Sequence, residues 1–229
     1  MRQQEELFNI AKTGTPVCLA PGLLFFPAYF SLAAQRALAD AIAKVLVEAP
    51  WFVPRMPRSG RPFSVKMTNC GSLGWVSGRE GGYRYQATHP VSGKAWPPIP
   101  SLALAAWKAV AAYPHPPEAC LINFYDCHAK MGLHQDRDEA ELAAPVVSIS
   151  LGDTCRFRYG GLRRAGPSKT LELRSGDVLV MGGAARLIFH GVDKIFADSS
   201  ALLPEGGRLN LTLRRVTRPE AGADASCES

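Results

Sequence analysis

The chain has 229 residues, 47% of them hydrophobic and 20% charged, with 26 Lys and Arg against 20 Asp and Glu for a net charge of +6. That length allows one sizeable core with an elaborated extension, and the composition excludes a disordered, collagen-like or disulfide-stapled protein. The positive balance suits a polyanionic partner without requiring one, because the basic residues are scattered along the chain and not massed in a tail.

Residues 1–14 read as a loosely ordered lead-in. Residues 13–35 carry no charge, but Pro16, Pro21, Gly22 and Pro27 interrupt them, so a strand, a turn and a helix start are expected in place of a membrane span or signal peptide. Residues 17–24 form the strand candidate. Ser31 is placed to cap a helix to about Ala49, with Leu32, Ala33, Leu38, Ile42, Val45 and Leu46 on one stripe. Residues 51–98 then change character: Gly, Pro, Arg, Ser and aromatics without helical period predict hairpins and loops of functional weight. Pro100 and Ser101 open a second helix to about Tyr113, buried along Leu102, Ala105, Ala106, Ala109 and Val110.

From residue 119 the signal is mostly strand: 119–126, 146–151, 155–159, 170–173, 177–181, 187–190 and 209–216. Many short strands between turn signals predict a sandwich or jelly roll. Residues 218–229 read as a solvated tail. The six cysteines (Cys18, Cys70, Cys120, Cys127, Cys155, Cys227) contain no C-x-x-C pair, which fits reduced thiols in a cytosolic protein.

Two stretches carry chemistry. If residues 133–136 are extended, His134 and Asp136 point to one side, because strand side chains alternate with period two. They supply two of the three ligands of a 2-His-1-carboxylate triad, which binds non-haem Fe(II) with open positions, and His190 is the candidate third. The run 208–214 places Leu209, Leu211 and Leu213 on one face and Arg208, Asn210, Thr212 and Arg214 on the other. The plainer account of that second face is a wet sheet surface. Two arginines flanking an asparagine also suit a bound carboxylate, which guanidinium grips through paired hydrogen bonds. Metal ligands with a carboxylate receptor match the plan of a 2-oxoglutarate oxygenase.

These residues, together with Asn123-x-Tyr125, 133–139 (Leu-His-Gln-Asp-Arg-Asp-Glu) and 145–152 (Pro-Val-Val-Ser-Ile-Ser-Leu-Gly), resemble the bacterial AlkB nucleic-acid dealkylating dioxygenases over roughly 68–215. The resemblance implies an α+β, mainly β fold: a double-stranded β-helix (jelly roll) at 119–217, behind a 1–118 extension with supporting helices and a nucleotide-recognition lid at about 51–98. It implies Fe(II) on His134, Asp136 and His190, with O2 and 2-oxoglutarate as further reactants. The cosubstrate's distal carboxylate would meet Arg208 and Arg214, and Asn210, Asn123 and Tyr125 would add hydrogen bonds. The reaction implied is oxidation of an N-methyl group on a base, collapsing to formaldehyde and the repaired base, with succinate and CO2 released.

For the base, the resemblance implies stacking on Trp75, contacts from Tyr83 and Met67, and Asp138 facing the exocyclic amino group of 1-methyladenine or 3-methylcytosine. Lys130, Arg137, Arg163 and Arg164 would meet the lesion strand. Met181 stands where the best-known members carry Trp, and residues 126–132 depart from their Pro-Gly turn; His128 is expected as an exposed loop residue. The expected partner is alkylated DNA, preferably single-stranded, or RNA, met by a cytoplasmic monomer with no membrane contact. The alternatives are the same iron chemistry on a protein or small-molecule substrate, and a non-enzymatic nucleic-acid-binding jelly roll.

Overall fold

A computed structural model describes residues 15–220. The lead-in expected at 1–14 and all but three residues of the expected tail lie outside the described residues. Strands β1 (Val17–Ala20) and β2 (Leu23–Phe26) form a hairpin about Pro21-Gly22. Gly22 has φ +80°, and a Cβ there would collide with the Gly182 carbonyl. Helix α1 (Leu32–Glu48) starts where Ser31 Oγ accepts from the Ala34 amide at 3.3 Å. Its buried stripe is Ala34, Gln35, Leu38, Ile42 and Val45, whereas the expected Leu32 and Ala33 are exposed. The reason is helical phase: Ala34 and Gln35 lie one turn before Leu38 on the covered face, whereas Leu32 and Ala33, six and five residues before it, fall on the far side. Helix α2 (Ser101–Val110) is shorter than expected and buries Ala103, Ala106, Trp107 and Val110, leaving Ala109 exposed and Leu102 and Ala105 half-buried.

Between the helices run β3 (Lys66–Gly71), β4 (Gly74–Gly78) and β5 (Gly82–Gln86). The rest is strand: β6 (Ala119–Tyr125), β7 (Met131–His134), β8 (Val146–Gly152), β9 (Thr154–Gly160), β10 (Ser168–Leu173), β11 (Val178–Met181), β12 (His190–Phe196) and β13 (Arg208–Arg214). They assemble into a seven-stranded antiparallel sheet in the order β1-β2-β11-β8-β13-β6-β3 and a four-stranded sheet in the order β10-β9-β12-β7. The architecture is the jelly roll expected, and β1–β3 carry its large sheet across residue 118. Hairpin β4–β5 is a separate two-stranded ribbon.

The large sheet is covered on both faces. Leu209, Leu211 and Leu213 join Leu38, Ile42 and Trp107 under the helices. On the opposite face Arg208, Asn210, Thr212 and Arg214 look into the barrel, all buried except the half-buried Asn210. The wet-surface account of this face is thereby excluded: the alternation is right, but the smaller sheet lies over the polar side. The strand expected at 187–190 lies further along the chain. Residues 187–189 follow a short turn, and β12 begins at His190, where the expected strand ended.

Candidate active site

The site lies between the two sheets, and register builds it. His134 ends β7 and His190 starts β12, and the two are direct cross-strand partners. Gly191 lets the strands approach, since a Cβ there would stand 2.5 Å from the Met131 carbonyl oxygen. The imidazole centroids are 4.5 Å apart. Asp136, two residues beyond the end of β7, closes the group: His134 Nε2 is 3.7 Å from its Oδ1 and His190 Nε2 is 3.9 Å from its Oδ2. Among the described residues this is the cluster able to hold a metal ion, with ligand atoms all within 4.8 Å of one another.

The donor chemistry fits a metal. His134 Nδ1 faces the Gly132 carbonyl at 3.0 Å and His190 Nδ1 faces the Ile188 carbonyl at 3.1 Å. A carbonyl only accepts, so each Nδ1 carries the proton and each Nε2 presents a lone pair toward Asp136. Burial works to raise the Asp136 carboxyl, but Arg214, then the imidazoles, outweigh it and hold it well below the usual carboxylate range. Burial, reinforced by His134, pushes His190 down to about 4, so it is a neutral ligand throughout the neutral range.

This sets an acid response of the metal-free protein. The unfolded chain takes up the His190 proton near the ordinary value of about 6.5, before the folded chain does. Stability is therefore full above that pH and drains as pH falls toward 4, by up to about 3 kcal/mol. Asp136 adds a further loss below the ordinary carboxylate value. Urea midpoints in EDTA should fall between pH 7 and 4, and His190→Gln should flatten that interval; an unchanged slope in the variant would place the titration elsewhere.

Fifteen of the sixteen site residues expected from the sequence line one cavity of about 620 Å³. Arg163 is absent from its lining, and Met181 forms part of the wall. His128 is exposed in its loop, as expected. The two arginines of β13 divide their roles. Arg208 is 1% exposed and donates Nη2 to Ser150 Oγ at 2.9 Å. Its Nε and Nη1, like Asn123 Oδ1 and Arg214 Nη1, are buried without a partner among the described residues. Buried orphan donors on a guanidinium are costly and mark a place for an anion. Arg214 is already engaged, giving Nε and Nη2 to Asp136 Oδ2 at 3.2 and 2.8 Å. Asn210 donates to Ser148 Oγ at 2.8 Å, and burial pushes the Tyr125 phenol up, keeping it a protonated donor.

At the mouth, Asn69 exchanges two 3.0 Å hydrogen bonds with the backbone of Trp75, fixing that residue. The indole donates to Asp138 Oδ2 at 2.8 Å and stacks on Tyr83 with centroids 5.6 Å apart. Residues 51–98 hold seven Lys and Arg against Glu80 alone, a balance equal to the net charge of the whole chain. The chain's net positive charge is thus carried by this segment, the remaining residues being balanced. Arg55, Arg58, Arg61, Arg79 and Arg84 are all exposed there, and the bond from Ser77 Oγ to the Arg55 carbonyl at 2.7 Å ties their loop to β4.

Sequence reasoning missed the buried group behind Asp136: Tyr85, Glu139 and Arg186. Arg186 is a lone charge between Gly182 and His190 in an otherwise apolar run, and such a charge signals a buried pair. It donates to Glu139 Oε2 at 2.9 Å and to the Asp136 carbonyl at 2.5 Å.

The 2OG-Fe(II) oxygenase superfamily model matches residues 22–214. An alpha-ketoglutarate-dependent dioxygenase AlkB homolog of Caulobacter vibrioides is 49% identical over 201 residues, 88% of this chain and 90% of that protein. A DNA N(6)-methyladenine demethylase ALKBH1C of Arabidopsis thaliana is 34% identical over 235 residues, 90% of this chain and 50% of that protein. The solved structure of OsALKBH1 superposes with a TM-score of 0.73 at 32% identity, over 87% of this chain and 99% of that one. With a two-histidine, one-carboxylate cluster and buried, unpartnered Arg208 nitrogens in one cavity, the chain belongs to the 2OG-Fe(II) oxygenase superfamily as an AlkB-type, Fe(II)- and 2-oxoglutarate-dependent dioxygenase.

Proposed function

We propose that the protein removes alkyl groups from damaged nucleic-acid bases, with Fe(II) held by His134, Asp136 and His190. The observation that carries this reading is the pairing, in one cavity, of that cluster with the unpartnered Arg208 nitrogens, beneath a lining that includes Trp75, Tyr83, Arg137 and Arg164. When bound, Fe(II) with 2-oxoglutarate would supply O2-dependent oxidation of the alkyl carbon, with the cosubstrate converted to succinate and CO2. The protein's own groups do the rest by position. Arg208 takes the distal carboxylate, Asn123, Tyr125 and Asn210 hold the cosubstrate's polar edges, and Arg214 keeps Asp136 ionised and aimed. A methyl carbon hydroxylated on nitrogen leaves as formaldehyde, so no side-chain nucleophile is needed.

The flipped base stacks on Trp75 beside Tyr83, with Met67 and Met181 as apolar wall. Asp138 has a second carboxylate oxygen to offer an exocyclic amino group, which suits cationic 1-methyladenine or 3-methylcytosine. Lys130, Arg137 and Arg164 meet the strand. We infer alkylated single-stranded DNA as the preferred substrate, RNA as a second, and a monomer working in the cytoplasm. No helix among the described residues is long and apolar enough to cross a membrane.

The test is mass spectrometry of a short single-stranded oligonucleotide bearing one 1-methyladenine, incubated with protein, Fe(II), ascorbate and 2-oxoglutarate. Loss of one methylene mass requiring both iron and 2-oxoglutarate is expected. Succinate without demethylation would move the chemistry to a protein or small-molecule substrate. The lid makes a second expectation. Replacing Arg58, Arg61 and Arg84 together by Gln should weaken oligonucleotide binding uniformly across sequences. It should also reduce the slope of log affinity against log salt by about 2, at roughly 0.7 per phosphate contact. A slope unchanged in a fluorescence titration would remove the lid from the interface.

A further inference from the structure

We propose that Glu139 is a positioning residue that links closure of the lid hairpin to the seating of Asp136, with Tyr85 as its contact on the hairpin. The inference rests on the ligand assignment above and goes beyond it.

The hairpin grips the ligand loop in a specific way. Trp75 and Tyr85 are direct cross-strand partners on β4 and β5. Their polar tips land on consecutive carboxylates: Trp75 Nε1 on Asp138 at 2.8 Å and the Tyr85 hydroxyl on Glu139 Oε1 at 2.5 Å. These carboxylates lie two and three residues past Asp136, so the ribbon is fastened to the loop that carries the ligand. Asp138 is exposed and keeps an oxygen for the substrate, whereas Glu139 is buried with both oxygens in use.

Glu139 then passes the contact inward through two buried arginines. Oε2 accepts from Arg186 Nη2 at 2.9 Å, and Oε1 lies 3.4 Å from Arg214 Nε. Both arginines hold Asp136. Arg214 donates twice to its carboxylate, and Arg186 donates to its backbone carbonyl while anchoring itself on the Ala144 carbonyl at 2.8 Å. Two guanidinium groups and two carboxylates balance in charge, and each arginine is shared between Glu139 and Asp136. Moving the Tyr85 hydroxyl off Oε1 leaves that oxygen to Arg214 alone. Arg214 Nε is then drawn from Asp136 toward Glu139. A lid that opens loosens the ligand, and by reciprocity a metal that seats the ligand must favour the closed lid.

Tyr85→Phe deletes only the hydroxyl, so it separates coupling from bulk stability. The readouts are Mn(II) affinity by titration calorimetry and amide exchange of residues 74–86 with and without Mn(II). Wild-type protein should show exchange in the hairpin slowed severalfold by Mn(II). In Tyr85→Phe that slowing should vanish and the Mn(II) Kd should rise about 3-fold or more; in Glu139→Gln it should rise on the order of 10-fold, the range for groups that orient a ligand. Tyr85→Phe with wild-type Mn(II) affinity and wild-type protection of the hairpin overturns the proposal, whatever its melting temperature. Wild-type protein that takes no Mn(II), or takes it equally well as His134→Ala, overturns the ligand assignment itself, and the proposal with it.

Discussion

His134→Ala should abolish iron-dependent turnover, lowering succinate release on the order of a thousandfold, the effect of several kcal/mol of lost metal assistance. His134 is the substitution of choice because its side chain is 40% exposed, against 8% for His190 and 7% for Asp136, so folding is least disturbed. Removing it leaves Asp136 and His190 3.9 Å apart as a two-point site with no means of fixing three adjacent positions. Metal titration should show the loss directly, and melting should remain cooperative. Full activity in this variant would sink the ligand assignment.

Arg208→Ala should raise the 2-oxoglutarate KM on the order of a hundredfold with a smaller change in kcat. Truncating one partner of a buried charge pair costs roughly 2–5 kcal/mol, and the orphan Nε and Nη1 of Arg208 have no other partner to lose. Arg208→Lys should recover little, because a point charge cannot reproduce a planar fork. Arg214→Ala should behave differently. It removes the two bonds that aim Asp136 and therefore weakens Mn(II) binding as well as cosubstrate binding. Initial rates against 2-oxoglutarate, alongside metal titrations, separate the two. An unchanged KM in Arg208→Ala would move the carboxylate receptor elsewhere in the cavity.

The contrast between these arginines shows how far a linear reading goes. Both sit on one face of β13 and look equivalent in the alternation of Arg208, Asn210, Thr212 and Arg214. Their difference comes from what lies opposite: Ser150 across from Arg208, and the Asp136 loop reaching over from beyond β7 to Arg214. The helix stripes fail in the same way. Leu32 and Ala33 are apolar, but they lie out of helical phase with Leu38, Ile42 and Val45, and the sheet covers only the face that carries Ala34 and Gln35.

By itself the sequence determined the many-stranded jelly-roll pattern, the three candidate ligands and the alternation that sets Arg208, Asn210, Thr212 and Arg214 on one face, because strand period and residue chemistry are local properties. Tertiary structure alone decided which of those faces is dry, since burial belongs to a surface and its cover together. It alone brought Glu139 to Arg186, 47 residues on, and Asp136 to Arg214, 78 residues on. No local period encodes such meetings; sheet register and the packing of one sheet over the other set them. The contact of the β4–β5 hairpin with the loop after Asp136, through Tyr85 and Glu139, is of that kind, legible only once the chain is folded.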